Sequence, residues 1–199
     1  MERIEHPIAP VYNKDSKILI LGSFPSVKSR EQGFFYGHPQ NRFWKVVAAV
    51  HDCAVPVTVE EKRAFLLEHG IAVWDVIQSC EIVGSSDSSI KDAVANDLRV
   101  ILDAADIRQI FVNGKKAEEL YKKYIAPKIG RDAVCLPSTS PANAAWSVER
   151  LVAEWKKIRS HYEQIMMYHD IEISEKQIEN KQVKDAREAS KATREKYEI

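Results

Sequence analysis

The 199-residue chain is 45% hydrophobic, which is enough apolar material for one sizeable core and makes a single domain the first expectation. Its formal net charge is zero, because 29 basic side chains balance 29 acidic ones; this excludes a globally cationic nucleic-acid coat but permits a local basic surface. The three cysteines form no CxxC pair, so the sequence indicates neither a zinc site nor an iron–sulfur cluster.

The sequence also bears on the compartment. No signal peptide opens the chain, and no apolar run approaches the roughly 20 residues that a membrane-spanning helix needs. Cys53, Cys80 and Cys135 are scattered and lie in apolar contexts, as buried thiols of a reducing compartment do. We therefore expect a cytoplasmic protein.

The first elements in the chain are predicted to be an arm, a strand, a long loop and a helix. Residues 1–16 read as an arm laid over the surface, and the apolar run at 17–21 predicts the first strand. Residues 22–44 are rich in glycine and aromatic side chains and are far longer than a simple connection needs, which is typical of a binding loop. A helix is predicted over residues 41–50, directly after this loop. Its apolar face is formed by Phe43, Val46, Val47 and Val50.

The second helix and second strand have clear boundaries. Thr58 and Glu61 have the spacing of a capping box, and Gly70 ends the helix that this box begins. The apolar residues 71–74 then predict a buried strand that ends at Asp75.

The next segment is predicted to contain a polar loop and a helix. Residues 84–89 are polar and precede an apolar pattern of helical spacing. That pattern predicts a helix carrying Val94, Leu98, Ile101 and Leu102.

Two more strands and two more helices complete the folded part. A third strand is expected over residues 108–112, followed by a helix that runs through Tyr124. A short fourth strand over residues 133–136 precedes a closing helix. The apolar face of the closing helix is formed by Val148, Leu151, Val152, Trp155 and Ile158.

This alternation of strands and helices predicts an α/β fold. We expect a three-layer α/β/α sandwich with a mainly parallel sheet of about four strands. We place this domain at residues 1–162. Residues 163–199 carry charges of both signs and few large apolar side chains, which predicts a charged helical or disordered tail.

Chemically unusual segments follow each predicted strand. They are residues 22–26, 75–79, 113–115 and 137–143. In an open parallel sheet these positions are the carboxyl ends of the strands, where ligands bind. We therefore expect the four segments to converge at one edge of the sheet and to form a site.

Three residues of the long loop have a structural and a functional interpretation. Asn41 precedes a helix and could cap it, or its helix start could face a bound group. Tyr36 could be core, or it could stack on a planar ring. His38 could be a hydrogen-bonded loop histidine or a general base.

Two familiar site types are not supported. Residues 22–26 follow a strand as a phosphate-binding loop would, but they lack the Lys-Ser/Thr ending of a P-loop and the three-glycine dinucleotide fingerprint. Ser26 and Ser29 have no evident His and Asp partners, which argues against a hydrolase triad.

The ends of the second and fourth strands carry polar side chains. Asp75 would be costly to bury alone, so either an arginine or backbone group satisfies it, or it accepts hydrogen bonds from a ligand. The hydroxyl residues at 138–140 could form a turn or could contact phosphate. A local cationic rim could come from Lys28, Arg30, Arg42, Lys45, Lys115 and Lys116.

Taken together, residues 18–158 resemble the uracil-DNA glycosylase superfamily, and most of all its hypoxanthine-DNA (deoxyinosine) glycosylase branch. Residues 36–44, YGHPQNRFW, are similar to the His-Pro-x-Asn-x-Phe-Trp signature of the mismatch-specific uracil/thymine glycosylases. Residues 136–140, LPSTS, are similar to the second motif of the superfamily, which pinches the DNA backbone. Asp75 falls where the superfamily places a residue that reads the flipped base.

The departures from the family pattern are informative. Several uracil-excising branches carry Asp or Asn two residues after the glycine of the first motif, where this chain has Phe24. A phenyl ring can neither activate nor hold a water molecule. The second motif commonly opens with His or Asn, and here it opens with Leu136. In the hypoxanthine branch the Asn of the Pro-Gln-Asn-Arg-Phe-Trp segment is functional, and this position is Asn41.

The resemblance implies that the chain excises a deaminated base from DNA, with hypoxanthine as the expected base, after the nucleotide leaves the stack. It implies that Asn41 is catalytic; as a neutral amide it cannot take a proton, but it can hold a water or bond the departing purine. It implies that Phe24 and Tyr36 sandwich the base while Asp75 and Ser23 contact it. The DNA-binding residues implied are Ser26, Ser138, Thr139, Ser140, Asn143 and Lys115.

The implied partner is single- or double-stranded DNA containing a deaminated base, bound by a monomer without a metal, an organic cofactor or a membrane. Two alternatives remain open: a uracil or mismatch glycosylase, and a non-catalytic nucleotide- or nucleic-acid-binding module that uses the same pocket. A protein-interaction role could be carried only by the charged tail.

Overall fold

The computed structural model describes residues 3–179, and the chain divides into two units between Tyr162 and Glu163. The strands are β1 (Arg3–Glu5), β2 (Ile18–Gly22), β3 (Ile71–Asp75), β4 (Ile77–Glu81), β5 (Lys91–Ala95), β6 (Gln109–Asn113) and β7 (Val134–Leu136). The helices are α1 (Val27–Gln32), α2 (Phe43–Val50), α3 (Val59–Glu68), α4 (Arg99–Leu102), α5 (Lys115–Tyr124), α6 (Ala126–Ile129) and α7 (Val148–Glu179).

The predicted parallel sheet is confirmed. It has four strands in the order β3-β2-β6-β7, and every neighbouring pair is parallel. The register sets Gly22 beside Asp75 and Asn113 beside Leu136, so the strands end at one edge. The segments that follow the strands therefore meet at that edge.

Alternate residues of the central strand enter two separate cores, because side chains of a strand alternate between the faces of a sheet. Ile18 and Ile20 pack on one face with residues of α2, α3 and α7. Leu19 and Leu21 pack on the other face with residues of α4 and α5. Full burial of each such side chain contributes about 1.5–3 kcal/mol. Helices on both faces confirm the α/β/α class.

A second, three-stranded antiparallel sheet, in the order β1-β4-β5, was not predicted. Two sequence-based predictions are wrong here. Residues 75–79 are not a loop, since only Val76 separates β3 from β4, and Val94 lies on β5 rather than on a helix. Val94 is 44% exposed and so does not belong to a buried helix face. Its four-residue spacing from Leu98 matches the helical period by coincidence. The N-terminal arm is likewise not only laid over the surface, because β1 pairs with β4.

Helix starts follow local sequence closely. The predicted capping box of α3 is confirmed: Thr58 Oγ1 accepts from the Glu61 amide at 3.1 Å, and Glu61 accepts from the Thr58 amide at 3.0 Å. Helix α2 begins at Phe43 rather than at the predicted Asn41. Asn41 nevertheless supports this start through its side chain, which accepts a hydrogen bond from the Phe43 amide.

The tail prediction concerns residues 163–199. Residues 163–179 are helical, and the rest of that prediction lies outside the described residues. Within residues 3–179, no helix combines the length and the apolar character needed to cross a membrane.

Candidate functional site

The edge where the parallel strands end opens into a cleft. Nine of the residues singled out in the sequence line it: Ser23, Phe24, Ser26, Tyr36, Asn41, Asp75, Ser138, Thr139 and Ser140. The other two, Asn143 and Lys115, line a groove that shares residues with the cleft. The structure thus brings nine of the predicted site residues to one cleft and sets two beside it.

Asn41 lines the cleft and supports the start of α2, although the N-cap position is Arg42 rather than the predicted Asn41. Its Oδ1 atom accepts a hydrogen bond from the amide of Phe43, the first residue of α2, at 3.0 Å. Its Nδ2 group makes no hydrogen bond within the described part of the chain. This bond to the helix start uses only the Oδ1 atom of Asn41, so its amide N–H groups are available to a ligand or a water.

Tyr36 has a backbone φ of 52°, an unusual left-handed conformation for an aromatic residue. One face of its ring stacks on Phe43, with the ring centres 3.8 Å apart and the planes 16° from parallel. Only the opposite face can therefore stack on a ligand.

The Tyr36 hydroxyl is buried and, among the described residues, has no hydrogen-bond partner. The Asn113 side chain lies near it, outside hydrogen-bonding geometry. Burial raises the pKa of Tyr36 far above its usual value, and the carboxylates of Asp75 and Asp87 raise it further. The Tyr36 hydroxyl is therefore protonated, and it can donate a hydrogen bond to an acceptor that enters the cleft.

Asp75 is held by a histidine from the N-terminal arm, a partner that sequence reasoning did not find. The Ile8 amide donates to His6 Nδ1 at 3.2 Å, so the proton resides on Nε2, which donates to Asp75 Oδ2 at 2.8 Å. Both side chains are nearly inaccessible, at 2% for His6 and 6% for Asp75.

The approach of Asp75 to the first strand requires a glycine. A Cβ atom at Gly22 would lie 2.2 Å from Asp75 Oδ1, which is closer than any side chain permits. The glycine that opens the long loop is therefore needed so that the carboxylate can reach the cleft.

Phe24 lies between the cleft and the core. Its ring is 7% exposed, and it contacts the edge of the His6 ring at a centre distance of 5.8 Å and an angle of 90°. The Arg30 guanidinium lies 5.7 Å from the centre of the Phe24 ring. Phe24 thus presents an apolar wall to the cleft.

Sequence reasoning missed Asp87, which also lines the cleft. It lies in a 3-10 turn at Asp87–Ser89 and accepts a hydrogen bond from the Ser23 hydroxyl at 2.8 Å. Burial raises the pKa of this carboxyl, and the Ser23 bond partly opposes that shift. The sequence signal was a single acid among serines in the polar segment 84–89.

The fourth-strand loop is held from within. Asn113 accepts from the Thr139 amide at 3.0 Å and donates to the Thr139 hydroxyl at 2.9 Å, and Thr139 is fully buried. Asn143 donates to the Ser138 carbonyl at 2.9 Å. Thr139 therefore shapes the loop, while Ser138 and Ser140 are partly exposed at the cleft.

Arg42, considered above as part of a cationic rim, instead points inward. Its guanidinium donates to the carbonyl oxygens of Thr139 at 3.3 Å, Ser140 at 2.6 Å and Asn143 at 3.1 Å. It also donates to the Trp146 carbonyl, and its backbone amide donates to Thr139. This one side chain clamps the loop after β7 to the start of α2.

The neighbouring groove carries the lysines at the start of α5. Lys115 is 87% exposed and pairs with Glu118 at 2.8 Å, and Lys116 pairs with Glu119 at 3.2 Å. Exposed pairs of this kind are weak, so both ammonium groups can turn to an incoming anion. No group of three or more His, Cys, Asp or Glu side chains within residues 3–179 is placed to hold a metal ion.

Comparison with known proteins agrees with this geometry. The model of the uracil DNA glycosylase superfamily matches residues 9–160. The chain is 34% identical over 160 residues to a hypoxanthine DNA glycosylase of Methanosarcina acetivorans, across 79% of this chain and 99% of the relative. A hypoxanthine DNA glycosylase of Methanosarcina barkeri is 31% identical over 136 residues, across 67% of this chain and 85% of the relative.

A solved structure is similar as well. It is the solution NMR structure of a Methanosarcina acetivorans protein proposed to be a uracil DNA glycosylase. The TM-score is 0.68 at 33% identity, across 80% of this chain and 98% of that one. The fold of this chain therefore occurs in a known structure.

Proposed function

This chain belongs to the uracil DNA glycosylase superfamily, and we propose that it removes hypoxanthine from DNA by hydrolysing the N-glycosidic bond of deoxyinosine. The observation that carries the proposal is the position of Asn41, which lines the cleft with Tyr36 and Asp75 and whose amide N–H groups make no hydrogen bond in the described residues. Two relatives that match the chain bear the name hypoxanthine DNA glycosylase, which supports the choice of base.

The proposed reaction begins with extrusion of the target nucleotide into the cleft, at a cost of a few kcal/mol that a mispaired base reduces. The exposed face of Tyr36 and the wall at Phe24 would hold the purine between them. Ser138 and Ser140, with Lys115 and Asn143 in the groove, would contact the backbone phosphates. We propose that the protein acts as a monomer on single- or double-stranded DNA.

Bond cleavage follows from the same contacts. Asn41 would donate to the attacking water or to the departing purine, and the bond between C1′ and N9 breaks as its electron pair leaves with the base. The pocket residues lie between positions 22 and 140, and the family match ends at residue 160. We therefore assign the activity to residues 1–162 and none of it to the charged tail.

The direct test is incubation of the protein with duplexes containing inosine, uracil or xanthine, followed by alkaline cleavage at the abasic sites. We expect strand breaks in the inosine duplex at the position of the lesion. Breaks only at uracil would favour the alternative of a uracil or mismatch glycosylase. Binding to the inosine duplex without any breaks would favour a non-catalytic module, the alternative that Phe24 raises.

Replacement of Tyr36 by phenylalanine should weaken binding to the flipped base without loss of stability. The hydroxyl is a buried donor that lacks an acceptor in the free protein, so its removal should keep or raise the melting temperature. With hypoxanthine bound it can donate to the base carbonyl, a bond of about 0.5–1.5 kcal/mol. Tyr36→Ala should lose about 1–3 kcal/mol because stacking is lost as well.

The measurement is the affinity for a duplex that carries a non-hydrolysable analogue of deoxyinosine. If Tyr36→Phe and Tyr36→Ala both bind as the wild type does, neither the ring nor the hydroxyl contacts the base.

Replacement of Asp75 by asparagine should lower inosine excision about 5- to 150-fold, the equivalent of about 1–3 kcal/mol for an unsatisfied buried hydrogen-bonding group. The amide oxygen can keep the bond from His6, so the amide NH₂ would replace the second carboxylate oxygen. Hypoxanthine presents a ring N–H beside its carbonyl, and two donors would then face each other. Adenine has a lone pair at the same ring position, so discrimination against adenine should weaken.

The assay compares inosine and adenine in the same duplex for the wild type, Asp75→Asn and Asp75→Ala. Both variants should lose inosine excision. Wild-type excision together with a lower melting temperature in both would mean that Asp75 only anchors the arm through His6, and that other groups read the base.

A further inference from the structure

The cleft contains a carboxylate that the family motifs do not account for. Phe24 occupies the position at which several branches of the superfamily carry a water-activating residue, and its ring has no group that can accept a proton. Asn41 cannot accept a proton either at neutral pH. Hydrolysis nevertheless releases a proton from the attacking water, so a proton acceptor near the reacting carbon would speed the reaction.

Asp87 lies where such an acceptor is needed. It lines both the cleft and the adjoining groove, a property that it shares with Asn113, Ser138 and Ser140. On the proposed function, the cleft takes the base and the groove takes the sugar-phosphate chain. The bond to be broken joins base to sugar, so it falls at the junction of the two, where Asp87 is the acidic side chain.

The carboxylate is also oriented and partly buried. The Ser23 hydroxyl donates to Asp87 Oδ1 at 2.8 Å, and no described residue donates a hydrogen bond to Oδ2. The charged groups that act on it are Asp75 at the end of β3 and Lys116 at the start of α5. One oxygen thus fixes the side chain, and the other is available to a water in the cleft.

We propose that Asp87 is a catalytic residue that contacts the attacking water and takes its proton, a role that neither Phe24 nor Asn41 can fill. This inference rests on the proposed function. The water oxygen forms the bond to C1′ while its proton passes to Asp87, and the C1′–N9 bond breaks with its electron pair on the purine. The anionic carboxylate also stabilises positive charge that develops on the sugar. The purine anion then takes the proton from Asp87, or it takes one from solvent while Asp87 releases its proton to solvent; either route restores the carboxylate.

The closing experiment measures single-turnover base release from an inosine duplex by the wild type, Asp87→Asn and the matched control Asp92→Asn. Asp92 is an exposed acid on β5 outside the cleft, and it has a left-handed backbone that asparagine also adopts readily. Asp87→Asn keeps an oxygen that can accept from Ser23, so any structural tie to Ser23 survives. The expected result is a loss of the order of 10²- to 10⁴-fold in rate, with duplex affinity and melting temperature like those of Asp92→Asn.

Each outcome is decisive. If Asp87→Asn cleaves as fast as Asp92→Asn, Asp87 only ties the 84–89 segment to Ser23, and the inference is wrong while the proposed function stands. If the wild type releases no base, the proposed function itself fails and the inference fails with it. Should Asp87→Asn not fold, Asp87→Ala decides by the same comparison, since it removes the carboxyl group whose charge burial disfavours.

Discussion

Replacement of Asn41 by alanine should lower single-turnover release of hypoxanthine by on the order of 10²-fold or more, the scale for loss of one preorganised polar group. Asn41 lines the cleft and its amide N–H groups make no hydrogen bond in the described residues, so a water or a purine can accept from them. Stability should fall by only about 1 kcal/mol, because the side-chain oxygen also accepts from the Phe43 amide at the start of α2.

Asn41→Ser separates these two roles. A serine hydroxyl can still accept from the Phe43 amide, so the helix start should be restored, but serine has no amide group to reach the ligand. We expect Asn41→Ser to melt close to the wild type and to remain as slow as Asn41→Ala. Recovery of both stability and rate in Asn41→Ser would identify Asn41 as a helix cap and nothing more.

Replacement of Arg42 by alanine should lower the rate of base release as strongly as Asn41→Ala does, because it displaces the loop that Arg42 holds in position. Its guanidinium holds the backbone of Thr139, Ser140, Asn143 and Trp146, and no other side chain among the described residues donates to these four carbonyls together. A shift of about 1 Å in a positioning element can cost 10²-fold in rate. Loss of bonds from a charged donor should also cost about 2 kcal/mol of stability. For a protein of this size that is a fall of roughly 4–8 °C in melting temperature.

Arg42→Lys distinguishes a clamp from a phosphate-binding charge. Lysine keeps the positive charge but cannot reproduce the planar fork that reaches several carbonyls at once. We expect Arg42→Lys to lose nearly as much activity and stability as Arg42→Ala. If lysine restores duplex binding and excision, Arg42 acts through its charge on DNA, as the sequence first suggested.

The sequence predicted the parts of the site that depend on local patterns. Apolar runs predicted all four parallel strands to within one residue. The strand ends must share an edge of a parallel sheet, so the meeting of Gly22, Asp75 and Asn113 followed. The support that Asn41 gives to the start of α2 could be predicted from the sequence, because the bond joins it to a neighbour two residues away. These features need no knowledge of distant contacts.

The remaining parts depend on pairings between distant residues. His6 and Asp75 are 69 positions apart in the chain, and no local pattern near His6 predicts that it pairs with an acid. Strand β5 has no alternation of apolar and polar side chains, because it is an exposed strand of the antiparallel sheet. Its hydrogen-bonding partner is β4. Asp87 enters the cleft only because that sheet carries the 84–89 segment back over Ser23.

The strand order also bears on how the chain is made. Strand β2 is the first strand of the parallel sheet to be synthesised, and it is central, flanked by β3 and β6. Its fully buried apolar residues therefore leave the ribosome with both backbone edges unpaired, and the second edge stays so until Gln109–Asn113 has been translated. Unpaired apolar edges are where nascent chains associate with one another. The interval between translation of β2 and of β6 is thus the period in which this protein is most exposed to aggregation.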